Sequence, residues 1–154
     1  MLRVEQTVVV KRPPEVVFDY LTSPSRLTEW QTSKTAFEQL SAGPPRRGML
    51  LRERTKGPGG KEFDQIVEFT EFDRPLRVQV HVVDGPYPVD GTWTFEPAEG
   101  GTRLRFIAEG RLSGPMRVLQ PLAKRLLRRQ FAAYHENLRR NLEGRVDRDG
   151  LVRE

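Results

Sequence analysis

Four consecutive stretches of this chain alternate between apolar and polar side chains with a period of two, and short turns separate them. In residues 63–69, Phe63, Gln65, Val67 and Phe69 share one face, and Asp64, Ile66 and Glu68 the other. In 76–83, Leu76, Val78, Val80 and Val82 oppose Arg77, Gln79, His81 and Val83. In 89–96, Val89, Gly91, Trp93 and Phe95 oppose Asp90, Thr92, Thr94 and Glu96. In 102–109, Thr102, Leu104, Phe106 and Ala108 oppose Arg103, Arg105, Ile107 and Glu109. Asp73-Arg74-Pro75, Asp84-Gly85-Pro86 and residues 97–101 are turn punctuation. A parallel crossover needs a dozen or more residues. These strands must therefore form antiparallel hairpins, with one face in water and one face buried.

The remaining segments supply the cover for that face. Residues 3–11 are rich in β-branched side chains and read as a strand. Pro13-Pro14-Glu15 ends it and opens a helix whose Val17, Phe18 and Leu21 share a face. Ser23-Pro24 is a second start signal, for a short helix ending near Trp30. Stretches 32–42 and 48–56 are further strands. The first has no clear phase. The second, if it keeps the phase of Met49 and Leu51, turns Glu53 and Thr55 inward. Pro121 interrupts the last helical pattern, which predicts a short turn and then a helix over 122–143. Its stripe is Leu119, Ala123, Leu126, Leu127, Phe131, Tyr134, Leu138 and Leu142. Gly144 is the expected stop. The fold class is α+β: about seven antiparallel strands around a long C-terminal helix, with two short helices after the first strand.

A chain of 154 residues fits one domain, expected over 1–144 with a charged, frayed tail over 145–154. It has no cysteine, which excludes disulfides, thiolate catalysis and cysteine metal sites. No run approaches the roughly 18 apolar residues of a membrane span, and the first residues lack the apolar stretch of a signal peptide. A cytoplasmic location is the expectation. The formal net charge is +5. Lys124, Arg125, Arg128 and Arg129, with Arg139 and Arg140, make the long helix basic. Either they are a solvated face, or they touch an anionic membrane. No aromatic residue interleaves with them, so nucleic acid is not an expected partner.

Three blocks carry a resemblance. They are Arg12-Pro13-Pro14-Glu15-Val16-Val17-Phe18-Asp19-Tyr20-Leu21 followed by Pro24-Ser25-Arg26-Leu27-Thr28-Glu29-Trp30; Phe69-Thr70-Glu71-Phe72-Asp73-Arg74-Pro75; and Gly91-Thr92-Trp93-Thr94-Phe95-Glu96-Pro97 with Gly101-Thr102-Arg103-Leu104. In order and spacing the chain resembles the helix-grip fold of the START-like superfamily, nearest its polyketide cyclase/dehydrase branch, over residues 3–143. The resemblance implies a curved sheet gripping the long helix with a cavity between them. Members of the superfamily bind lipids, sterols and polyketides, and some are cyclases; fold alone does not choose among these.

The inward apolar set is either a filled core or the lining of a pocket for a hydrophobic small molecule. As a pocket it would be lined by Phe63, Gln65, Val67, Val80, Trp93, Phe106, Phe131 and Tyr134. Gln65 and Thr102 are its polar members. Tyr87 would sit at the rim. His81 faces solvent by alternation, and His135 adjoins the helical stripe without joining it. Neither histidine has a second ligand at i+3 or i+4, so no metal site is expected, and no motif requires a cofactor. No residue on the inward face of the four alternating strands titrates near neutrality, which favours a carrier or sensor over an enzyme. A β-bulge would reverse the strand phase downstream and could turn His81 inward. A cyclase/dehydrase-type enzyme and an interaction protein with a filled core are the alternatives.

Overall fold

The computed structural model describes residues 2–110 and 114–149. Seven strands form one antiparallel sheet: β1 (Leu2–Val10), β2 (Lys34–Gln39), β3 (Leu50–Lys56), β4 (Glu62–Asp73), β5 (Arg77–Asp84), β6 (Val89–Ala98) and β7 (Gly101–Gly110). Their order across the sheet is β1-β7-β6-β5-β4-β3-β2. Strands β2 to β7 form an unbroken run of neighbours, as short turns dictate. Strand β1 lies at the opposite edge from β2. Helices α1 (Pro14–Thr22) and α2 (Leu27–Trp30) bridge those two edges.

Helix α1 starts with Pro14 in its first turn, where a missing N–H costs nothing, and it buries Val17, Phe18 and Leu21. The Phe18 ring meets the Phe72 ring edge-on at 5.1 Å and the Phe95 ring at 5.0 Å. Ser23 does not cap with its side chain; its carbonyl accepts from Arg26 N–H at 3.0 Å instead. A 3-10 turn over Gly114–Leu119 leads into α3, Gln120–Asp149, with Pro121 in its first turn. Gly144 does not stop this helix. A glycine stop requires positive φ, and Gly144 is absent from the glycines that have it. Residues 150–154 of the expected tail lie outside the described residues.

The expected sheet faces hold with two corrections. Leu51, Glu53 and Thr55 are all buried, so β3 keeps the phase of Met49. Gln65, Val67, Phe69, Val78, Gly91, Trp93, Phe95, Thr102, Leu104, Phe106 and Ala108 are buried on the same face. Leu76, expected among them, is 54% exposed, because it belongs to the turn at the cis Arg74–Pro75 bond and precedes β5. The register of β4 against β5 shifts between Phe69 and Glu71. Thr70 is the extra residue there, and the reversed phase turns Phe72 onto the core beside Phe69, ring to ring at 5.7 Å. A second shift lies between Ile66 and Val67. The two irregularities fall on either side of His81, so its outward direction survives.

The helical stripe needs a larger correction. Leu138 and Leu142 are buried and Phe131 is half-buried, but Leu119 and Leu126 are exposed. At about 100° per residue the seven stripe residues that lie on α3 spread around it by roughly 160°. A straight helix cannot press all of them on one sheet. The second half makes the contact.

Candidate functional site

Between α3 and the concave face of the sheet, the residues predicted to line a pocket fall into two groups. The first is a packed aromatic floor. Trp93 lies 4.7 Å from Phe106, Phe106 lies 4.4 Å from Phe131, and Phe131 meets Tyr134 edge-on at 5.4 Å, centroid to centroid. Trp30 closes it, edge-on to Trp93 and Tyr134. Gly91 makes room for these rings: a Cβ there would stand 3.2 Å from both Phe106 and Trp93. The second group is a wall. Val67 is buried, whereas Phe63, Val80 and Val82 are only partly covered although they face inward. The exposed Tyr87 ring stands against Phe63 at 5.2 Å.

His135 sits in the centre of the floor, which the sequence reading missed. It is buried, stacked on Trp30 and tilted against Phe106. Trp93 Nε1–H donates to His135 Nε2 at 3.0 Å. An indole nitrogen only donates, so Nε2 accepts and the imidazole proton resides on Nδ1, 3.0 Å from Gln6 Oε1. Gln6 Nε2 in turn donates to the Arg128 carbonyl at 2.7 Å. Burial lowers the His135 pKa from 6.5 to about 4. His135 is thus neutral at neutral pH with both nitrogens engaged. The spacing His135, Leu138, Leu142 (i, i+3, i+7) was the signal that places it on the core face.

A polar cluster borders the floor. Glu53 is buried, and its Oε1 accepts from Lys34 Nζ at 2.6 Å and from Gln65 Nε2 at 3.0 Å. The Tyr134 hydroxyl pairs closely with Ser33 Oγ, which also accepts from Gln130 Nε2 at 3.1 Å. Burial raises the Tyr134 pKa above its ordinary value; the Ser33 bond opposes this and the Glu53 charge adds to it. Its phenol is a neutral donor and acceptor. Gln65 and Thr55 lie on adjacent strands, on the same face, two register positions apart. Gln65 commits its N–H to Glu53, and neither Gln65 Oε1 nor Thr55 Oγ1 meets a hydrogen-bond partner within the protein, although both are buried. Gly85 in the β5–β6 turn closes over Gln65: a Cβ there would stand 2.7 Å from Oε1. Thr102, the other polar residue expected inward, donates to the Arg12 carbonyl at 2.7 Å and is a structural tie.

His81 is exposed on the convex face, with Nδ1 2.5 Å from Asp90 Oδ1. The two histidines are thus separated by the sheet. The family model for polyketide cyclase / dehydrase and lipid transport matches residues 1–143. The chain belongs to that family. Its fold recurs in solved structures. A protein of Thermus thermophilus is 20% identical, with a TM-score of 0.77, covering 89% of this chain and 94% of that one. One from Nitrosomonas europaea is 16% identical, with a TM-score of 0.72, covering 95% and 97%. The di-domain ARO/CYC StfQ from the steffimycin biosynthetic pathway is 13% identical, with a TM-score of 0.79, covering 97% of this chain and 52% of that one. At these identities the likeness is one of fold. No curated protein matches the chain. Membership in the polyketide cyclase / dehydrase and lipid transport family supports hydrophobic-ligand binding or a cyclase-type role in general terms.

Proposed function

We propose that the protein binds a hydrophobic small molecule bearing a hydroxyl or N–H group, between the inner faces of β3–β6 and α3. The single observation behind this reading is that two buried atoms on the same face of adjacent strands, Thr55 Oγ1 and Gln65 Oε1, have no hydrogen-bond partner among the described residues. A buried polar atom left unpaired costs about 1–3 kcal/mol, and a ligand donor would recover that. Gln65 Oε1 can only accept, and Thr55 Oγ1 can do both, so the complementary group is an alcohol, phenol or amide. The partly covered Phe63, Val80 and Val82 supply the apolar wall beside it.

Calorimetry with a long-chain alcohol and the alkane of matched length tests this. Thr55→Val is expected to weaken the alcohol about three- to tenfold and leave the alkane unchanged, the worth of one neutral hydrogen bond. Equal loss for both probes, or no binding of either, refutes it.

A cyclase-type reaction is the second reading, and Glu53 is the observation that favours it: an inward carboxylate is a group that could take a proton from a substrate carbon. Binding is the better-supported of the two. Glu53 Oε1 is already committed to Lys34 and Gln65, His135 has both nitrogens engaged, and His81 is outside. Glu53→Gln would abolish turnover of a polyketone substrate while keeping its affinity if the second reading held.

A further inference from the structure

The first half of α3, with the turn before it, presents an amphipathic face that the sheet does not use. From 114 to 135 the chain has Arg117, Lys124, Arg125, Arg128 and Arg129 and no acidic residue. Among the described residues none of these five takes part in an ion pair with a carboxylate. In the same segment Met116, Val118, Leu119, Leu122 and Leu126 are exposed, Val118 to 80% and Leu126 to 55%. At about 100° per residue along α3, Leu122, Ala123, Leu126 and Leu127 fall in one sector of roughly 140°, and Lys124, Arg125, Arg128 and Arg129 in the sector opposite. The side chains that hold the helix on the sheet, Phe131, Tyr134, His135, Leu138 and Leu142, centre about 100° away from the leucines. Leu127, at the inner edge of that sector, packs partly against the core, and Leu122 and Leu126 point sideways into solvent.

We propose that this face docks the protein on an anionic lipid bilayer, the leucines entering the acyl boundary and the arginines reaching the headgroups. A merely solvated helix has no use for a row of exposed leucines. A second copy docked on the leucines would leave the cations, on the opposite side of the helix, without an anionic partner. Nucleic acid would use the cations and leave the leucines wet. Apolar and basic sectors on opposite sides of one helix are what an interfacial helix needs, with long cationic stems bending toward the headgroups. The inference stands apart from the ligand reading, since it uses no residue of that site.

Co-sedimentation with vesicles of phosphatidylglycerol and phosphatidylcholine, against phosphatidylcholine alone, tests it. Binding is expected to the anionic vesicles and to fall as salt shortens the Debye length to about 3 Å near 1 M. Arg125→Gln with Arg129→Gln should weaken partition about 25-fold, at roughly fivefold per cation. Leu122→Ser with Leu126→Ser should weaken it about tenfold or more with the charge unchanged. Both pairs are exposed, so an unchanged unfolding midpoint shows the fold is kept. Failure to bind anionic vesicles, or a serine variant that binds as well as the wild type, overturns the proposal. So does a wild-type dimer in sedimentation equilibrium that the serine variant converts to a monomer. Duplex DNA bound more tightly than the vesicles, and unaffected by the serine pair, overturns it as well.

Discussion

The two halves of α3 use the same kinds of residue to opposite ends. In the second half, as far as Glu143, leucines are buried and cations are paired: Leu138 and Leu142 lie in the core, and Arg139 bonds Glu136 and, at 2.7 Å, Glu143. Glu143 also accepts from Lys11 N–H at 2.9 Å, and Arg12 Nη1 donates to the Leu142 carbonyl at 3.0 Å. Asn137 and Asn141 hold the backbone of α2 through Trp30 O and Glu29 O. In the first half Leu122 and Leu126 are exposed, Leu127 is only partly covered, and the cations meet no carboxylate among the described residues. The hydrogen bonds described above from helix to sheet begin at Arg128. Position relative to the sheet, rather than composition, decides whether a leucine stabilises the fold or remains available to a partner.

That contrast breaks most directly under paired truncations. Leu138→Ala should cost about 2–5 kcal/mol, a transfer loss plus a cavity, whereas Leu126→Ala should stay within roughly 0.5 kcal/mol. Denaturant unfolding of both variants measures this; equal costs would mean that the first half is packed in solution. Native-state hydrogen exchange should agree, with amides before Arg128 opening at lower free energy than those after it.

Acid sharpens the same comparison through His135. Its folded pKa is depressed, so the unfolded chain binds the proton first. The stability is fully present above about 6.5 and is lost as pH falls toward about 4. The difference in pKa corresponds to about 3 kcal/mol. His135→Gln should remove this component, so its stability curve should run flatter than the wild type's between those two pH values. Parallel curves would mean that His135 is not buried neutral.

The smallest effect belongs to the ion pairs. Arg139 is held in its charged form by Glu136, but the pairs are half-exposed and screened by water, and Arg139→Ala should cost at most about 1 kcal/mol and less in high salt. A larger loss in the unfolding midpoint would assign the helix's attachment to charge rather than to Leu138 and its neighbours.

Much of the sheet was legible because its alternation reports one buried face, residue by residue, from Phe63 to Ala108. Strand β2 was not. Its register slips between Lys34 and Ala36, which destroys the period of two and hides Lys34, the partner of Glu53. Leu76 was misplaced because a turn residue next to an alternating run looks like its first member. The lining set was legible as side chains that face inward, from Phe63 to Tyr134, but not as a floor and a wall. That division depends on how far α3 covers the sheet, and no local pattern carries it. His135 was passed over because histidine is polar by type. Partners far away in sequence, the indole N–H of Trp93 and the side-chain oxygen of Gln6, make its burial tolerable.

The edge position of β1 has a consequence for synthesis. Its partners on β7 lie 92 positions away at the near end, Val10 with Thr102, and 108 at the far end, Leu2 with Gly110. Strands β2 to β7 each meet a sequence neighbour across a connection of ten residues or fewer and can zip in turn as they leave the ribosome. Strand β1, made first, must wait for β7 before a single ladder bond can form, and Gly101 admits it so closely that a Cβ there would stand 2.0 Å from the Val10 carbonyl. A chain arrested on the ribosome with only residues up to 98 exposed should therefore protect the amides of its central hairpins while those of β1 exchange freely.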